Sequence, residues 1–268
     1  LETGPFGALG RTRQLGFTHL VYPGATGTRF EHSMGVYDLA CKAMLRLSSQ
    51  TIFRATCQKE DVLNFLLAAL LHDIGHFPFA HQIEEFSRDD FPSPANTFLL
   101  EFIEGHHVRT GAIIESLRDP LMDLFDLSEQ DVNRIIYLVT GIVANSSVKT
   151  PAVELLKQII DGPVDIDKLD YMERDAFHCG VPYGANLDVE RILETMCIIR
   201  TPNGPRMAYD SRGLGCLEQM LTGRHQLYSN VYWHRATRSA TAMFKHAVYL
   251  LIRKHSEPET IINIFFTA

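Results

Sequence analysis

Hydrophobic positions recur at spacings of three and four along most of the chain. From Arg29 onward Phe30, Met34, Tyr37, Leu39, Cys41, Met44, Leu45 and Leu47 follow that rule with polar residues between them, which predicts a long helix. A second helix is predicted from about Asp61 through Val62, Leu63, Phe65, Leu66 and Leu70 to His72-Asp73, where Gly75 and Pro78 break it. Further helical stretches are expected at about 107–117, 128–143, 151–160 and 167–177. Ser128 followed by Asp131 reads as an N-cap with a first-turn acid, and Pro151 suits a first-turn proline. The period then changes. Met196–Arg200 and Arg206–Tyr209 are short extended runs around Thr201-Pro202-Asn203-Gly204-Pro205, and they predict a hairpin. After Ser211 a helical region runs to about Lys254, and Pro258 interrupts it. The first thirty residues, with Gly4, Gly7, Gly10, Gly16, Gly24 and Gly27, read as a loop or as backbone close to a ligand. With no fixed-period repeat and no linker-like stretch, the expected fold is all-α with a small β-hairpin insertion, a single domain over residues 1–268.

The 268 residues suffice for one large domain or two small ones, and 46% hydrophobic with 21% charged residues is ordinary for a globular protein. The 25 basic and 32 acidic residues leave a formal charge of −7, which argues against a general grip on nucleic acid or anionic membrane while leaving room for a local basic pocket. The longest purely apolar run, Phe65 to Leu71, is far short of the roughly 20 residues a membrane-spanning helix needs. The N-terminus Leu1-Glu2-Thr3-Gly4 has no signal-peptide architecture and no initiator Met, and the chain stops abruptly in Ile261–Ala268, so it reads as a portion of a longer protein. Five cysteines without a C-x-x-C suit reduced thiols, hence a cytoplasmic or nuclear setting.

Of twelve histidines, five fall close together: His72, His76, His81, His106 and His107. His72-Asp73 closes an apolar helix, so the pair emerges where burial is expected. A buried aspartate costs several kcal/mol unless it is paired or bound to a metal. His32, in Arg29-Phe30-Glu31-His32-Ser33, and Asp167, in Asp165-Ile166-Asp167-Lys168-Leu169-Asp170-Tyr171, complete a set of two imidazoles and two carboxylates. That mix suits Mn, Fe, Co, Ni or Zn, and the open coordination positions can take water and a phosphate oxygen. No Walker-type P-loop occurs, so phosphate must be held by side chains. Arg29, Lys168 and Arg224 are candidate cations.

In combination, Gln14-Leu15-Gly16, Pro23-Gly24-Ala25, Arg29-Phe30-Glu31-His32-Ser33, His72-Asp73-Ile74-Gly75-His76, Pro78-Phe79-Ala80-His81 and Asp165–Tyr171 resemble the HD-domain metal-dependent phosphohydrolases. Within them the chain looks like the dNTP triphosphohydrolases, the bacterial dGTPase-like enzymes and the catalytic HD domain of the vertebrate SAM-and-HD-domain protein. The resemblance runs from about Gln14 to Ala247. It implies a helical HD fold and cleavage of a deoxynucleoside triphosphate into deoxynucleoside and tripolyphosphate. It implies a divalent ion (Mn, Fe, Mg, Zn, Ni or Co) on His32, His72, Asp73 and Asp167. His76, His81 and Glu84 would surround the scissile bond. His107 falls at a catalytic histidine of the family, but the family's following Glu is Val108 here, and a slip of one would put His106 in its place. Gln14 and Leu15 match positions lining sugar and base. Tyr171 and Asp175 match residues that hold the deoxyribose, and Arg29, Lys168, Arg224, Tyr232 and His234 match phosphate and sugar contacts. The resemblance also implies a homo-oligomer and a nucleotide activator. Other readings are an HD phosphohydrolase acting on another nucleotide or phosphodiester, a catalytically silent nucleotide-binding module, and a nucleic-acid binder, which the negative charge does not favour.

Overall fold

The glycine-rich start, expected as loop, winds into short helical turns: α1 (Pro5–Ala8), a 3-10 turn at Leu9–Arg11 and another at Gly16–Leu20. Pro5 pre-sets the first turn. Phe6 and Leu9 are buried, and the Phe6 ring meets Phe30 edge-on at 5.4 Å between centroids, so tertiary packing overrides the local glycine content. The structure is a computed structural model that describes residues 4–79, 81–82, 105–143 and 146–254.

Thr28 opens α2 (Arg29–Ser48) with a capping box: its hydroxyl accepts from the Glu31 N–H, and the Glu31 carboxylate accepts from the Thr28 N–H. α3 (Thr51–Thr56) and α4 (Lys59–Leu71) follow. α4 ends one residue before His72, which is its C-cap. After it come α5 (His106–Ser116), α6 (Arg118–Phe125), α7 (Glu129–Thr140), α8 (Pro151–Ile160), α9 (Ile166–Cys179) and α10 (Val189–Thr195). Ser128 makes the expected capping box with Asp131. α7 stops at Thr140, short of the predicted 143, because Gly141 takes a left-handed conformation and closes the helix. The short helices α3, α6 and α10 carry too few turns to show a period in the sequence.

β1 (Met196–Thr201) and β2 (Gly204–Tyr209) pair antiparallel from Met196 with Tyr209 to Thr201 with Gly204. The region expected as one helix after Ser211 divides into α11 (Leu214–Leu227), a wide π turn at Tyr228–Tyr232, and α12 (Arg235–Lys254). The wide turn lies where Tyr232 bonds Asp175, so the local geometry follows a tertiary contact.

α2, α4, α7 and α9 form the centre: α4 packs on α2 and α7, and α9 packs on α2. Phe65, Leu47, Ile135, Leu138 and Leu169 are fully buried between them. The turn after α4 is pressed onto α5. A Cβ on Gly75 would lie 2.3 Å from Thr110 Oγ1 and 2.5 Å from the His106 carbonyl oxygen, so only glycine permits this approach. That contact brings His106 beside the His72–His76 segment. Among the described residues no helix is long and apolar enough to cross a membrane, and all five cysteines are free thiols.

Candidate functional site

Three helix termini aim at one point. The Thr28 cap fixes the start of α2, and His32 is buried one turn in. His72 caps α4 and Asp73 follows it. Asp165 caps α9 by accepting from the Lys168 N–H at 2.8 Å, which turns Asp167 and Asp170 towards α2. His32 Nδ1 lies 2.8 Å from Asp170 Oδ2, and His72 Nδ1 lies 2.8 Å from the Ala69 carbonyl oxygen. Both acceptors fix the proton on Nδ1 and leave the Nε2 lone pairs facing the same space, 3.2 Å apart. Asp167 Oδ1 is 2.9 Å from His32 Nε2 and 3.7 Å from His72 Nε2. Asp73 Oδ1 is 3.4 Å from His72 Nε2.

Nitrogen and oxygen ligands at about 2.0–2.2 Å from one ion stand about 3 Å apart when adjacent. The His32–His72 and His32–Asp167 spacings match that, and the ligand atoms of His32, His72 and Asp167 all lie within 4.8 Å of one another, whereas Asp73 groups in the same way with His76 and His106. Two lone pairs aimed at each other need a cation between them. The titration behaviour agrees. Burial works against charge on His32, but its hydrogen bonds to Asp167 and Asp170 outweigh this and push its pKa up to about 10. The carboxylates therefore call for positive charge at His32 Nε2, from a proton or a metal ion. The donor set fits a divalent ion.

Asp73 also anchors Arg29, whose Nη1 donates to Asp73 Oδ2 at 2.7 Å with only 3% of the arginine exposed. Burial opposes ionisation of Asp73, but His76, His72 and Arg29 hold its carboxyl well below the usual range. His76 Nε2 lies 3.1 Å from Asp73 Oδ1. Burial and the Arg29 charge push its pKa well down, so it is neutral near pH 7. The cluster forms one end of a cavity of about 490 Å³, within the usual range for a small-molecule site. Among the described residues, four on its wall carry a buried polar atom with no hydrogen-bond partner: Arg29 Nε, His76 Nδ1, Gln14 Oε1 and Thr237 Oγ1. Unpaired buried polar atoms are costly, and a polar ligand in the cavity removes that cost.

The cavity gathers most of the residues singled out from the sequence. Gln14, Leu15, Arg29, His32, His72, Asp73, His76, His81, His107, Asp167, Lys168, Tyr171, Asp175, Arg224 and Tyr232 all line it. Glu84 lies outside the described residues. His234 is not on the wall: its ring faces Tyr22 at 6.2 Å, and its Nδ1 accepts from the Ala236 N–H at the start of α12. Lys168 is on the wall, but its ammonium is bonded to Asp165 and to the Gly162 carbonyl oxygen. Of the adjacent histidines, His107 is exposed, whereas His106 stacks on His76 with centroids 3.7 Å apart. Arg224 Nε donates to the Tyr171 hydroxyl at 3.2 Å.

Sequence reasoning passed over Asp170, which holds His32. It also missed the wall formed by Trp233, Thr237, Arg238 and Thr241. The i, i+4 spacing of Trp233, Thr237 and Thr241 is the one signal that could have exposed that wall.

Asp175 provides a pH test. Burial pushes its carboxyl up to about 7, with the Asp170 charge adding to this and the Tyr232 hydroxyl, at 2.8 Å, opposing it. An acid whose folded pKa exceeds its unfolded value binds more protons in the native state, so its contribution to stability falls as pH rises from about 4 to about 7. The expected result is that Asp175→Asn gains thermal stability relative to the parent across that interval, with the difference levelling off above it. Melting curves of the two proteins in parallel buffers check this. A difference independent of pH contradicts it.

Comparison with known proteins bears on the same residues. Residues 29–175 match the HD domain family, and residues 187–264 match the HD associated region. An uncharacterized Bacillus subtilis protein, YwfO, is 31% identical over 263 residues, covering 96% of this chain and 52% of the relative. Chicken SAMHD1, described as a deoxynucleoside triphosphate triphosphohydrolase, is 26% identical, covering 92% of this chain and 41% of the relative. A crystal structure of a hypothetical protein from Aquifex aeolicus superposes with a TM-score of 0.72 at 30% identity, covering 97% of this chain and 61% of that one. The chain spans about half the length of the curated relatives it matches.

Proposed function

The chain belongs to the HD-domain family, and from that premise we propose that it hydrolyses deoxynucleoside triphosphates to deoxynucleoside and intact tripolyphosphate. HD domains are metal-dependent hydrolases, so hydrolysis is the family's chemistry and the dNTP is the added step. The observation that carries it is one cavity holding both the His32, His72, Asp73 and Asp167 cluster and the Gln14, Tyr171, Asp175, Arg224 and Tyr232 wall. The distant likeness to SAMHD1 points the same way.

In this reading His32, His72, Asp73 and Asp167 hold the divalent ion, which when bound supplies Lewis acidity and a lowered pKa for water. The chain does the rest. Asp167 accepts a hydrogen bond from the attacking water. Arg29, oriented by Asp73, donates its unpaired Nε to an oxygen on the α-phosphorus, where charge builds as the water oxygen bonds and the P–O5′ bond breaks. His81 or the His106–His107 pair protonates the departing O5′. Neutral His76 turns its Nε2–H to Asp73, so its Nδ1 lone pair accepts a hydrogen bond from the attacking water or a sugar hydroxyl. Tyr171 and Asp175, tied to Arg224 and Tyr232, flank the sugar.

The test incubates the protein with each dNTP and Mn²⁺ and resolves the products by anion exchange. Deoxynucleoside with uncleaved tripolyphosphate is expected, from a single dNTP or from a mixture in which one acts as activator. Monophosphate with pyrophosphate, or diphosphate with phosphate, overturns it. A homo-oligomer belongs to the same proposal, and native mass measurement tests it. One observation favours a second reading: with Lys168 bonded to Asp165, the wall has less cationic charge to spare for a triphosphate, which suits a monophosphate or phosphodiester.

A further inference from the structure

The chain contains one tryptophan, and it is not in the core. Trp233 is 63% exposed, yet it lines the same cavity as the His and Asp cluster. A tryptophan retained for packing is mostly buried, so a wall tryptophan left open to the cavity offers a large flat apolar surface to whatever enters. Its backbone is held on both sides. The Trp233 N–H donates to the Tyr228 carbonyl at 2.9 Å, and the Arg238 N–H donates to the His234 carbonyl at 2.9 Å. The hydroxyl of Tyr22 ties the same turn down through the Asn230 carbonyl. The Arg238 guanidinium lies 5.0 Å from the indole centroid, which orients the ring and occupies one face of it. One and two turns along α12, Thr237 and Thr241 stand on the same face of the helix. Thr237 is 4% exposed, and its hydroxyl has no partner among the described residues.

We propose that Trp233 is the stacking platform for the base of the bound nucleotide, with the Thr237 hydroxyl and the Gln14 amide oxygen as polar contacts beside it. This rests on the nucleotide reading of the site. Its chemistry is that of a planar aromatic ring seated at the end of a phosphoester cavity. Tyr232, the preceding residue, turns inward to Asp175, while Trp233 stays at the open side, so the two neighbours serve successive parts of one ligand. Every base has a π face, so stacking gives general affinity for bases and favours purines through their larger overlap.

Because Trp233 is the sole tryptophan, its emission reports occupancy directly. The chain is titrated with deoxyguanosine, deoxyadenosine, thymidine, deoxycytidine and, separately, inorganic tripolyphosphate, with excitation at the red edge of the indole band. The nucleosides are expected to quench emission saturably, purines at lower concentration than pyrimidines, and tripolyphosphate is expected to leave it unchanged. Equilibrium dialysis covers variants that lack the signal. Trp233→Ala is expected to weaken deoxyguanosine binding by about 10- to 100-fold and Trp233→Phe by only a few-fold, with tripolyphosphate binding the same in all three proteins. Nucleoside binding that leaves the emission unchanged, or that is equal in Trp233→Ala and the parent, overturns the platform while leaving the nucleotide reading in place. If neither nucleosides nor dNTPs bind while the protein hydrolyses another phosphoester, both fall together.

Discussion

His72→Ala is expected to lose hydrolysis and its metal ion with little loss of stability, and Asp73→Ala, one residue further on, to lose both and to be markedly destabilised as well. The difference comes from what each side chain leaves behind. His72 is half-buried, and its Nδ1 bond to the Ala69 carbonyl can be replaced by water, so its removal costs about 1 kcal/mol. Asp73 is the partner of Arg29, a guanidinium with 3% exposure. Taking away one member of a buried ion pair strands the other at a cost of about 3–5 kcal/mol. At about 2–4 °C per kcal/mol for a chain near this size, Asp73→Ala melts roughly 10 °C below the parent and His72→Ala only a few degrees below. The melting curves are compared after chelation, because a bound ion stabilises the parent by mass action and would blur the comparison. Loss of the Lewis acid removes several kcal/mol of transition-state stabilisation, and at about 1.4 kcal/mol per factor of ten turnover falls about 1,000-fold or more in both variants. Metal content by mass spectrometry, melting temperature and turnover together decide the matter. Full metal content with full turnover in His72→Ala would remove the cluster from the mechanism.

These side chains were legible because each sits in a local pattern with a physical demand. His72-Asp73 ends an apolar helix where an unpaired carboxylate cannot stay. His32 and Asp167 lie within the first four residues of helices with plain caps at Thr28 and Asp165. The hairpin was legible for the same reason, turn residues between extended runs, but its register closes on Thr201 with Gly204, so the loop is Pro202-Asn203 and not the Asn-Gly turn the sequence predicts.

What stayed hidden depends on packing between distant elements. Asp170 and Arg174 are an i, i+4 pair that reads as a solvated helix face, and only the approach of α2 turns them inward. Adjacent His106 and His107 differ in role because Gly75 lets one strand of backbone press on the other, which no spacing records. The π turn at Tyr228–Tyr232 and the Trp233 wall face residues more than 200 positions away in the chain, such as Tyr22 and Gln14.

Gly35→Ala tests that hidden layer most directly, because the ordinary expectation runs the other way. Gly35 is inside α2, where alanine normally stabilises a helix by about 1 kcal/mol. Here a Cβ would lie 1.8 Å from Asp170 Oδ1 and 2.2 Å from Arg174 Nη2, so the substitution must displace the carboxylate and its arginine. That carboxylate accepts from Arg174 through both oxygens, at 2.7 and 2.9 Å, and from His32 Nδ1 at 2.8 Å. Once it moves, His32 loses the bond that fixes its tautomer and aims Nε2 at the cluster. Outer partners of ligating histidines are worth about 10- to 100-fold in metal affinity. Gly35→Ala is therefore expected to melt below the parent and to need about 10- to 100-fold more metal for half-maximal turnover. Asp170→Asn separates positioning from chemistry. It keeps the shape and one acceptor oxygen but breaks the paired contact with Arg174, so its metal requirement rises while kcat at saturating metal returns to within a few-fold of the parent. A kcat that stays low however much metal is added would place Asp170 among the groups acting on the substrate. A Gly35→Ala protein that melts higher and binds metal as the parent does would mean that α2 and α9 are not held this closely.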